Sequence, residues 1–375
     1  MTAQKEMKIG DKHYQTIWLD ESDESVVKAI DQRKLPFFFE IMELRTVEDV
    51  YDSIGDMAVR GAPLIGATAA FGIYLASLKI SAEANPIDYL ANAAKYLISC
   101  RPTAVNLAWA VQYSISKLNA GMSMKEISES TRASAVEICK LEKENCRQIG
   151  MHGLPLIEEI SRKKNGAPVN ILTHCNAGWL ACIDYGTATA PIYLAHDKGI
   201  RVHVWVDETR PRNQGSRLTA YELGQHGVQN TIIPDNAGGH LMQNDEVDMV
   251  IVGSDRTTAT GDSANKIGTY LKALAAFDNN IPFYSAVPST SFDFSAYDGL
   301  TDITIEERNP DEVLTIEGLV NDKIEKVVIS PNNAAAKNYG FDITPARLIT
   351  GIITERGICR ASENSIKEMF PEKFK

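Results

Sequence analysis

Three groups of polar side chains follow predicted buried strands, and together they could form a catalytic site. They are His174-Cys175-Asn176, residues 207–215 and Gly253-Ser254-Asp255-Arg256. Parallel strands bring their carboxyl ends to one edge of a sheet, where ligands bind. A cysteine taken alone, such as Cys175, is more often a buried core residue. A thiol, the Asp255 carboxyl group and several arginines on one edge favour a catalytic cleft over a structural explanation.

Cations and amides elsewhere in the chain could hold a phosphate group. The candidates are Arg60, Arg101, Gln214 and Lys266, with backbone N–H groups near Gly61 and Ala62. Pro63 suits the first turn of a helix, so residues 60–62 precede a helix N-terminus, where anions bind. Taken alone, that segment is better explained as a structural turn with a solvated arginine. Asn265-Lys266 is predicted to open another helix, again a place for anion contacts.

Cofactors and metals are not predicted. The sequence has no Walker-type or G-x-G-x-x-G loop, so a nucleotide or dinucleotide is not expected. Asp262 is interpreted as a turn or cap residue. Cys175 and Cys182, seven residues apart, do not have the usual spacing of zinc ligands. A small phosphate, a thiol and a carboxyl group without a cofactor suit acid–base chemistry on a phosphorylated metabolite.

Composition narrows the class of protein. The chain has 375 residues, 44% of them hydrophobic and 23% charged, which suits a globular protein with two domains. Its net charge of −11 argues against nucleic-acid binding. No apolar run predicts a membrane span, and no apolar signal region opens the chain. The six cysteines are scattered without C-x-x-C spacing, which predicts reduced thiols and a cytoplasmic location.

Residues 1–165 are predicted to form a mostly helical domain with a small antiparallel sheet. Its predicted strands are residues 11–20 and 35–44, with Val26, Val27 and Ile30 at helical spacing between them. The predicted helices are residues 46–58 after a Thr46/Asp49 capping box, 64–78, 104–118 packing through Val105, Trp109 and Ile115, and 123–163. The last would face inward with Ile127, Val136, Leu141 and Ile149 and break or kink near Gly150 and Gly153.

Residues 166–375 are predicted to form a Rossmann-like α/β domain with a doubly wound parallel sheet. Near-continuous apolar strands alternate there with helices, which is typical of such sheets. The predicted strands are residues 169–173, 202–206, 231–233, 249–252, 283–287 and 327–330, and the predicted helices are 188–198, 216–225 and 266–277.

Several long motifs resemble a known family. These motifs are Met57-Ala58-Val59-Arg60-Gly61-Ala62-Pro63, Arg101-Pro102-Thr103-Ala104-Val105-Asn106-Leu107, Thr173-His174-Cys175-Asn176-Ala177-Gly178, Asp207-Glu208-Thr209-Arg210-Pro211-Arg212 with Gln214-Gly215, Gly253-Ser254-Asp255-Arg256, Gly261-Asp262 with Ala264-Asn265-Lys266-Ile267-Gly268-Thr269-Tyr270, Asp342-Ile343-Thr344-Pro345 and Ile352-Ile353-Thr354-Glu355. Through them the chain resembles, from about Leu44 to Glu355, the 5-methylthioribose-1-phosphate isomerases of methionine salvage, which are related to the regulatory subunits of translation initiation factor 2B.

The resemblance implies conversion of an aldose 1-phosphate to a ketose 1-phosphate. It implies that Cys175 and Asp255 carry the chemistry. It also implies a set of substrate-binding residues, largely at the phosphate: Arg60, Gly61, Ala62, Arg101, Gln214, Asn265 and Lys266. A homodimer through the C-terminal domain is implied as well.

Two routes remain open for the reaction. Asp255 would protonate the ring oxygen of the locked sugar, which requires its pKa to be raised from about 4 by desolvation. Hydrogen could then pass from C2 to C1 through a Cys175 thiolate and an enediol-like intermediate, or by direct hydride shift in a site that Cys175 shapes. A thiolate requires a lowered pKa. His174 should point away from the site, and Arg210 and Arg212 are interpreted as structural partners of Asp207 and Glu208.

Two departures from the usual sequence of the family leave the C5 substituent of the sugar open. They are the segment from Ser330 to Phe341 and Trp179, which replaces a smaller residue. The alternative substrates are 5-methylthioribose 1-phosphate, 5-deoxyribose 1-phosphate and ribose 1,5-bisphosphate. The last of these would require a second anion pocket. A non-catalytic regulatory subunit is the rival from another class, since a fold alone does not determine function.

Overall fold

The computed structural model describes residues 7–81, 85–101 and 103–374. Its N-terminal part consists of short antiparallel strands followed by longer helices. In chain order these are β1 (Lys8–Ile9), β2 (Lys12–His13), β3 (Ile17–Leu19), β4 (Val27–Ile30), β5 (Ile41–Leu44), α1 (Val47–Gly55), α2 (Ala62–Ser77), α3 (Pro86–Cys100), α4 (Val105–Ser116) and α5 (Met124–Lys163).

The segment with Val26, Val27 and Ile30 is a strand, so its predicted helical spacing was wrong. β4 is the central strand of the antiparallel sheet β3-β4-β5. Val27, Ala29 and Ile30 are all buried. A short apolar run covered on both faces does not show strand alternation, and spacing alone cannot separate it from a turn of helix.

Helix α1 begins as the capping box predicts. Thr46 Oγ1 accepts the Asp49 N–H at 3.1 Å, and Asp49 Oδ2 accepts the Thr46 N–H at 2.9 Å. Helix α2, which begins at Ala62, is buried along nearly its whole length and packs against α1, α4 and α5. A helix that is apolar all round belongs in the centre of a helical layer.

Helix α4 packs only partly through the predicted face. Trp109 and Ile115 are partly buried against the N-terminal core, but its fully buried residues are Asn106, Leu107, Ala110, Val111 and Ser114. A Cβ added to Gly66 of α2 would lie 3.0 Å from the Asn106 carbonyl oxygen. The small residues of α2 therefore allow α4 to pack closely against it, through the smaller side chains of α4.

Helix α5 is continuous across Gly150 and Gly153, so the predicted break was wrong. A Cβ added at Gly153 would lie 2.5 Å from Pro191 Cγ, and one at Gly150 would lie 2.9 Å from Leu194 Cδ1. The glycines are therefore places of close contact with the next helix. Of the residues predicted to face inward, Ile127 and Ile149 are buried, Val136 is partly buried and Leu141 is 42% exposed.

The C-terminal part alternates strands and helices around a central sheet. Its elements are β6 (Val169–Thr173), α6 (Ala190–Asp197), β7 (Val202–Asp207), α7 (Ala220–Gln225), β8 (Gln229–Ile233), α8 (Gly238–Gln243), β9 (Met249–Val252), β10 (Arg256–Thr258), β11 (Ser263–Lys266), α9 (Thr269–Asp278), β12 (Phe283–Ala286), β13 (Phe292–Asp293), α10 (Gly299–Asp302), α11 (Asp311–Leu314), β14 (Thr315–Val320), β15 (Lys323–Val328), β16 (Phe341–Thr344), β17 (Gly351–Thr354), β18 (Gly357–Cys359) and α12 (Glu363–Met369). A π-helical turn, Gly215–Thr219, leads into α7.

The central sheet has the order β18-β17-β12-β9-β6-β7-β8, and all its pairings are parallel except that of β18 with β17. From β6 the chain moves to one side through β7 and β8, then crosses to β9 and continues the other way. The order therefore reverses between β6 and β9. In open α/β sheets, ligands bind beyond the carboxyl ends of the strands at such a switch point.

Two predicted elements lie elsewhere. Residues 327–330 were assigned to the parallel sheet, but β15 pairs with β14 in a separate antiparallel hairpin, and the buried β17 occupies the sheet position beside β12. Val328 is 61% exposed, so its apolar run does not mark a core strand. Asn265 and Lys266 do not open a helix: they lie on β11, and α9 begins at Thr269 after Gly268, whose φ is 101°.

The central apolar cluster contains residues from both sides of the predicted domain boundary at 165/166. Met7, Ile30, Leu35, Ile149 and Ile157 pack in it with residues of β6 and β7. Within the described part of the chain, no helix combines the length and apolar character that crossing a membrane requires.

Candidate active site

Cys175 lies just past the end of β6, at the switch point of the central sheet. Its side chain is 6% exposed, and the thiol donates a hydrogen bond to Gln214 Oε1 at 3.4 Å. Its φ is 66°, in the left-handed region that residues other than glycine seldom adopt. The chain therefore turns sharply at the strand end, where Cys175 lines a small cavity.

That cavity joins the two parts of the chain. Its walls include the four predicted residues Arg60, Gly61, Ala62 and Asn265, beside both predicted catalytic residues, Cys175 and Asp255. A second cavity shares Ala62 and Asp255 and adds Arg101. The structure thus gathers most of the predicted set at one place, with Gln214 bonded to Cys175 and Lys266 in electrostatic contact with both catalytic candidates.

Asp255 follows β9, the strand next to β6. Its backbone N–H donates to the Ala264 carbonyl at 3.0 Å, which ties the loop to β11. Burial raises the pKa of the Asp255 carboxyl group, while Lys266, Arg60 and Arg101 oppose the shift and Glu306 adds to it. The environment therefore favours the protonated carboxyl group, which can act as an acid.

Arg60 is fixed against the cysteine loop. Its Nη1 donates to Asn176 Oδ1 at 2.5 Å, and its Nη2 donates to the Asn176 carbonyl at 2.7 Å. Gly61, with φ 94°, is required sterically, because a Cβ there would lie 2.4 Å from the Ala181 carbonyl oxygen. Ala62 is the first residue of α2, so the predicted corner does precede a helix N-terminus at the cavity.

Arg101 is paired with a carboxylate from the C-terminal part. Its Nε and Nη2 donate to Glu306 Oε2 at 3.1 and 2.9 Å. The predicted Arg101-Pro102-Thr103 corner is described at Arg101 and Thr103, and Pro102 lies outside the described residues. Glu306 thus orients a cation that faces Asp255 and Ala62 across the second cavity.

Asn265 and Lys266 reach the site from β11. Asn265 Nδ2 donates to Thr269 Oγ1 at 3.1 Å. The Lys266 ammonium lies 4.9 Å from the centre of the Phe341 ring. Burial lowers the pKa of Lys266, while Cys175 and Asp255 oppose the shift. An anionic ligand bound beside Lys266 would favour its charged ammonium form and so offset the effect of burial.

His174 points away from the thiol, as its place on the strand predicts. Its Nδ1 lies 2.7 Å from Asp207 Oδ2 and its Nε2 lies 2.8 Å from the Ile267 carbonyl. His174, Asp207 and Asp235 bring potential metal-ligand atoms close together. The Lys272 ammonium already supplies a cation there, 3.0 Å from Asp207 Oδ2 and bonded to the Asp235 carbonyl. The cluster therefore already contains a cation of the protein itself, although the buried Asp207 Oδ1 has no hydrogen-bond partner among the described residues.

Arg210 and Arg212 are structural, but not through the predicted partners. Arg210 Nη2 donates to the Val313 carbonyl at 2.9 Å, and Arg212 Nη1 pairs with Glu312 Oε1 at 2.8 Å. Both arginines therefore hold the segment before the β14–β15 hairpin rather than Asp207 or Glu208.

Sequence reasoning missed several buried groups around the cysteine loop. Thr209, Thr219 and Glu222 are each 1% exposed there, and Glu222 Oε2 accepts the Leu180 N–H at 3.1 Å. Burial raises the pKa of Glu222 to about 7. The sequence does offer a signal for two of them. Thr209 lies within the polar group at residues 207–215, and Glu222 lies on the predicted helix that follows it, residues 216–225.

The surroundings of Cys175 favour the protonated thiol. Burial raises its pKa, and an ionised Asp255 would add to the shift, whereas Arg60 and Lys266 oppose it. The nearby cations therefore do not lower the pKa of this thiol below its ordinary value.

The chain thus has a mostly parallel seven-stranded sheet and, at its switch point, a cleft lined by residues of both parts. The model of the initiation factor 2 subunit family matches residues 58–361, and the chain belongs to that family.

Within the family, its curated relatives include methylthioribose-1-phosphate isomerases. The protein of Desulfatibacillum aliphaticivorans is 58% identical over 369 residues, which cover 98% of this chain and 100% of the relative. The crystal structure of 5-methylthioribose 1-phosphate isomerase from Pyrococcus horikoshii OT3 has a TM-score of 0.83 at 37% identity, covering 96% of this chain and 97% of that one. Translation initiation factor eIF-2B subunit delta from A. fulgidus has a TM-score of 0.77 at 36% identity, with 96% and 99% covered.

Proposed function

We propose that the protein is an aldose–ketose isomerase that converts 5-methylthioribose 1-phosphate to 5-methylthioribulose 1-phosphate in methionine salvage. The observation that carries the proposal is the meeting of Cys175, Asp255 and a cluster of cations in one buried cleft. The identity to isomerases over nearly the full chain supports it.

Substrate binding is assigned to the cations and amides around the cleft. Arg60, Arg101 and Lys266 supply charge for the phosphate, and the start of α2 at Gly61 and Ala62 supplies backbone N–H groups. Gln214 and Asn265 contribute amides that can bond sugar hydroxyl groups.

Asp255 is assigned as the acid. The phosphate on the anomeric oxygen keeps the sugar ring closed, so ring opening requires a proton on the ring oxygen. Burial raises the pKa of the Asp255 carboxyl group, which favours the protonated form that can donate.

The protonated thiol favours direct hydride shift from C2 to C1 over the thiolate route. In this shift the C2 hydroxyl group becomes the ketone and gives its proton to the Asp255 carboxylate that ring opening has left. Burial keeps the Cys175 proton in place, and an arriving phosphate dianion adds negative charge beside it. In this route Cys175 excludes water and shapes the path between the two carbons.

Turnover in deuterated water tests that choice. The hydride route predicts a product without solvent deuterium at C1, whereas substantial incorporation would contradict it. Cys175→Ser kinetics are needed beside it because a shielded proton return would give the same label pattern. The hydride route predicts that this variant keeps more activity than Asp255→Asn.

An apolar group at C5 suits the second cavity. Its walls include Ile65, Ala104, Ala264, Ile303 and Phe341. Of the cations at its edge, Arg256 is paired with Asp293, and Arg101 is assigned to the 1-phosphate. A second phosphate, as in ribose 1,5-bisphosphate, would meet the Asp293 and Glu306 carboxylates. Trp179 packs in the core and does not narrow the cleft.

A panel of 1-phosphorylated pentoses tests the substrate. We expect the highest kcat/KM for the methylthio compound, a lower value for the 5-deoxy compound and the lowest for ribose 1,5-bisphosphate. Cys175→Ala and Asp255→Asn, with folding verified by circular dichroism, should each lose at least 100-fold in kcat (order of magnitude from). Unchanged activity in both variants would refute the site assignment, whereas a wild type without turnover of any of these sugars would favour a regulatory subunit.

We also propose a cytoplasmic homodimer formed through the C-terminal part. The six cysteines are free thiols, which suits a reducing compartment. Light scattering coupled to size exclusion should give the mass of two chains, and the mass of one chain would contradict the dimer.

A further inference from the structure

The left-handed backbone of Cys175 must be held by its surroundings. A residue with a side chain at φ 66° is strained, and such residues persist where neighbouring contacts over-determine them. Both peptide groups that flank Cys175 are bonded to threonine hydroxyl groups, one from each of two separate segments.

Thr209 holds the N-terminal side. The Cys175 N–H donates to Thr209 Oγ1 at 2.9 Å, and that hydroxyl donates to the Asp207 carbonyl at 3.0 Å. The Thr209 hydroxyl proton thus bonds to the end of β7, and a lone pair of the same oxygen accepts the Cys175 N–H. Thr209 is itself at φ 65°, with its N–H donating to Asp235 Oδ1 at 2.6 Å. The hydroxyl therefore has a fixed direction.

Thr219 holds the C-terminal side. Its Oγ1 donates to the Cys175 carbonyl at 2.7 Å and accepts from Asn176 Nδ2 at 3.1 Å. The other end of the Asn176 amide accepts from Arg60. One hydroxyl group therefore links the position of the thiol to that of a phosphate-binding cation.

The π-helical turn brings Thr219 to this place. The Ala220 N–H bonds to the Gly215 carbonyl, which is the five-residue spacing of a π-helix. Gly215 is pressed against the end of β7, where a Cβ would lie 1.8 Å from the Asp207 carbonyl oxygen. The turn thus starts at the same strand end that orients Thr209.

We propose that Thr209 and Thr219 are positioning residues that hold Cys175 in its left-handed conformation, with Thr219 also coupling it to Arg60. The proposal rests on the catalytic role of Cys175 in the proposed function. Neither threonine faces the substrate, since both hydroxyl groups are used by the protein itself.

Valine variants remove each hydroxyl group at nearly constant shape. Thr209→Val should lower kcat at least tenfold with KM within twofold, because Thr209 bonds to the Cys175 backbone and not to the Arg60 network. Thr219→Val should lower kcat and also raise KM at least threefold, because the Asn176–Arg60 link is loosened. Thr209→Ser and Thr219→Ser, which keep the hydroxyl group, should stay within threefold of the wild type.

Thr131→Val is a matched control. Thr131 is also fully buried, but its hydroxyl group bonds to Ser77 and to carbonyls of α5 among the N-terminal helices. Its kcat and KM should match the wild type. If a valine variant fails to fold, the ratio of kcat for the serine and alanine variants at the same position isolates the hydroxyl group, with at least tenfold expected.

Alkylation of Cys175 by iodoacetamide, followed by mass spectrometry of its peptide, gives a readout that needs no substrate. The rate should change at least threefold in both valine variants and return in the serine variants. Valine variants that only melt at a lower temperature, with wild-type kcat and alkylation rate, would overturn the proposal. A wild type without turnover would instead refute the proposed function while the alkylation result still decides the positioning role.

Discussion

At the scale of single residues, the chemistry of the cleft depends on which protons burial retains. Asp255 and Cys175 are both shifted toward their protonated forms, and in both cases desolvation outweighs the nearby cations. Arg60 and Lys266 therefore serve better as anchors for an anion than as activators of a thiolate.

The pH dependence of kcat/KM should report Asp255. As an acid it must be protonated, so activity falls as pH rises through its pKa, which burial has raised. Lys266 lowers that pKa and Glu306 raises it. Lys266→Met should therefore move the falling limb to higher pH, and Glu306→Gln should move it to lower pH. Profiles that shift in the same direction in both variants would contradict the assignment.

Sequence alone could place the strand-end residues but not their partners. Cys175 and Asp255 follow apolar strands, and the parallel pairing of β6 with β9 brings them to one edge. The bond from Arg60 to Asn176 spans 116 residues and that from Arg101 to Glu306 spans 205, and no local pattern encodes such pairs. Asn265 and Lys266 lie on β11 and not on the predicted helix. All four residues of β11 are buried, so the strand shows no alternation of buried and exposed residues that would identify it.

At the scale of elements, helix α5 carries a buried charge that opposes folding at high pH. Burial raises the pKa of Glu142 from 4.5 to about 7. The folded state therefore holds this proton more tightly than the unfolded state. The contribution to stability is full below pH 4.5 and is lost as the pH rises through about 7.

Glu142→Gln should remove this loss. At pH 8 the variant should be more stable than the wild type by about 1–3 kcal/mol, and at pH 5 the two should agree within about 1 kcal/mol. Urea unfolding at both pH values measures the difference. Because the pKa of Glu222 is raised to a similar value, the variant should still lose some stability as the pH rises, but less than the wild type does. A variant less stable than the wild type at pH 8 would contradict the prediction.

The crossing of α5 and α6 depends on glycine. Gly153→Ala gains helix propensity of about 1 kcal/mol, but its Cβ would overlap Pro191. Overpacking of this kind costs about 1–3 kcal/mol, so a net loss of stability is expected in urea unfolding. Gly224→Ala in α7 is the control, since a Cβ there meets nothing within 4 Å, and it should be neutral or stabilising. Equal effects at the two positions would exclude the steric explanation.

At the scale of the whole molecule, the cleft and the core both cross the predicted domain boundary. Arg60 and Arg101 come from one side and Cys175 and Asp255 from the other, and the central cluster mixes residues of both sides. We propose that the division at 165/166 separates two structural parts that fold as one cooperative unit.

Tryptophan fluorescence can test this cooperativity. Trp18 and Trp109 lie on the N-terminal side, and Trp179 and Trp205 on the C-terminal side. Variants that retain only one pair should unfold at the same urea concentration, because loss of either part exposes the shared core. Two separate midpoints would show that the parts unfold independently.

The π-helical turn Gly215–Thr219 contains one residue more than an α-helical turn would need at this place. It sets the phase in which α7 meets the sheet, with Leu223 in the core and Glu222 under the cysteine loop. A chain one residue shorter here could recover regular α-helical bonds, yet every later side chain of α7 would rotate by about 100°. Deleting one residue between Gly215 and Glu222 should therefore displace the buried side chains of α7, which substitutions at the exposed positions of that helix would leave in place.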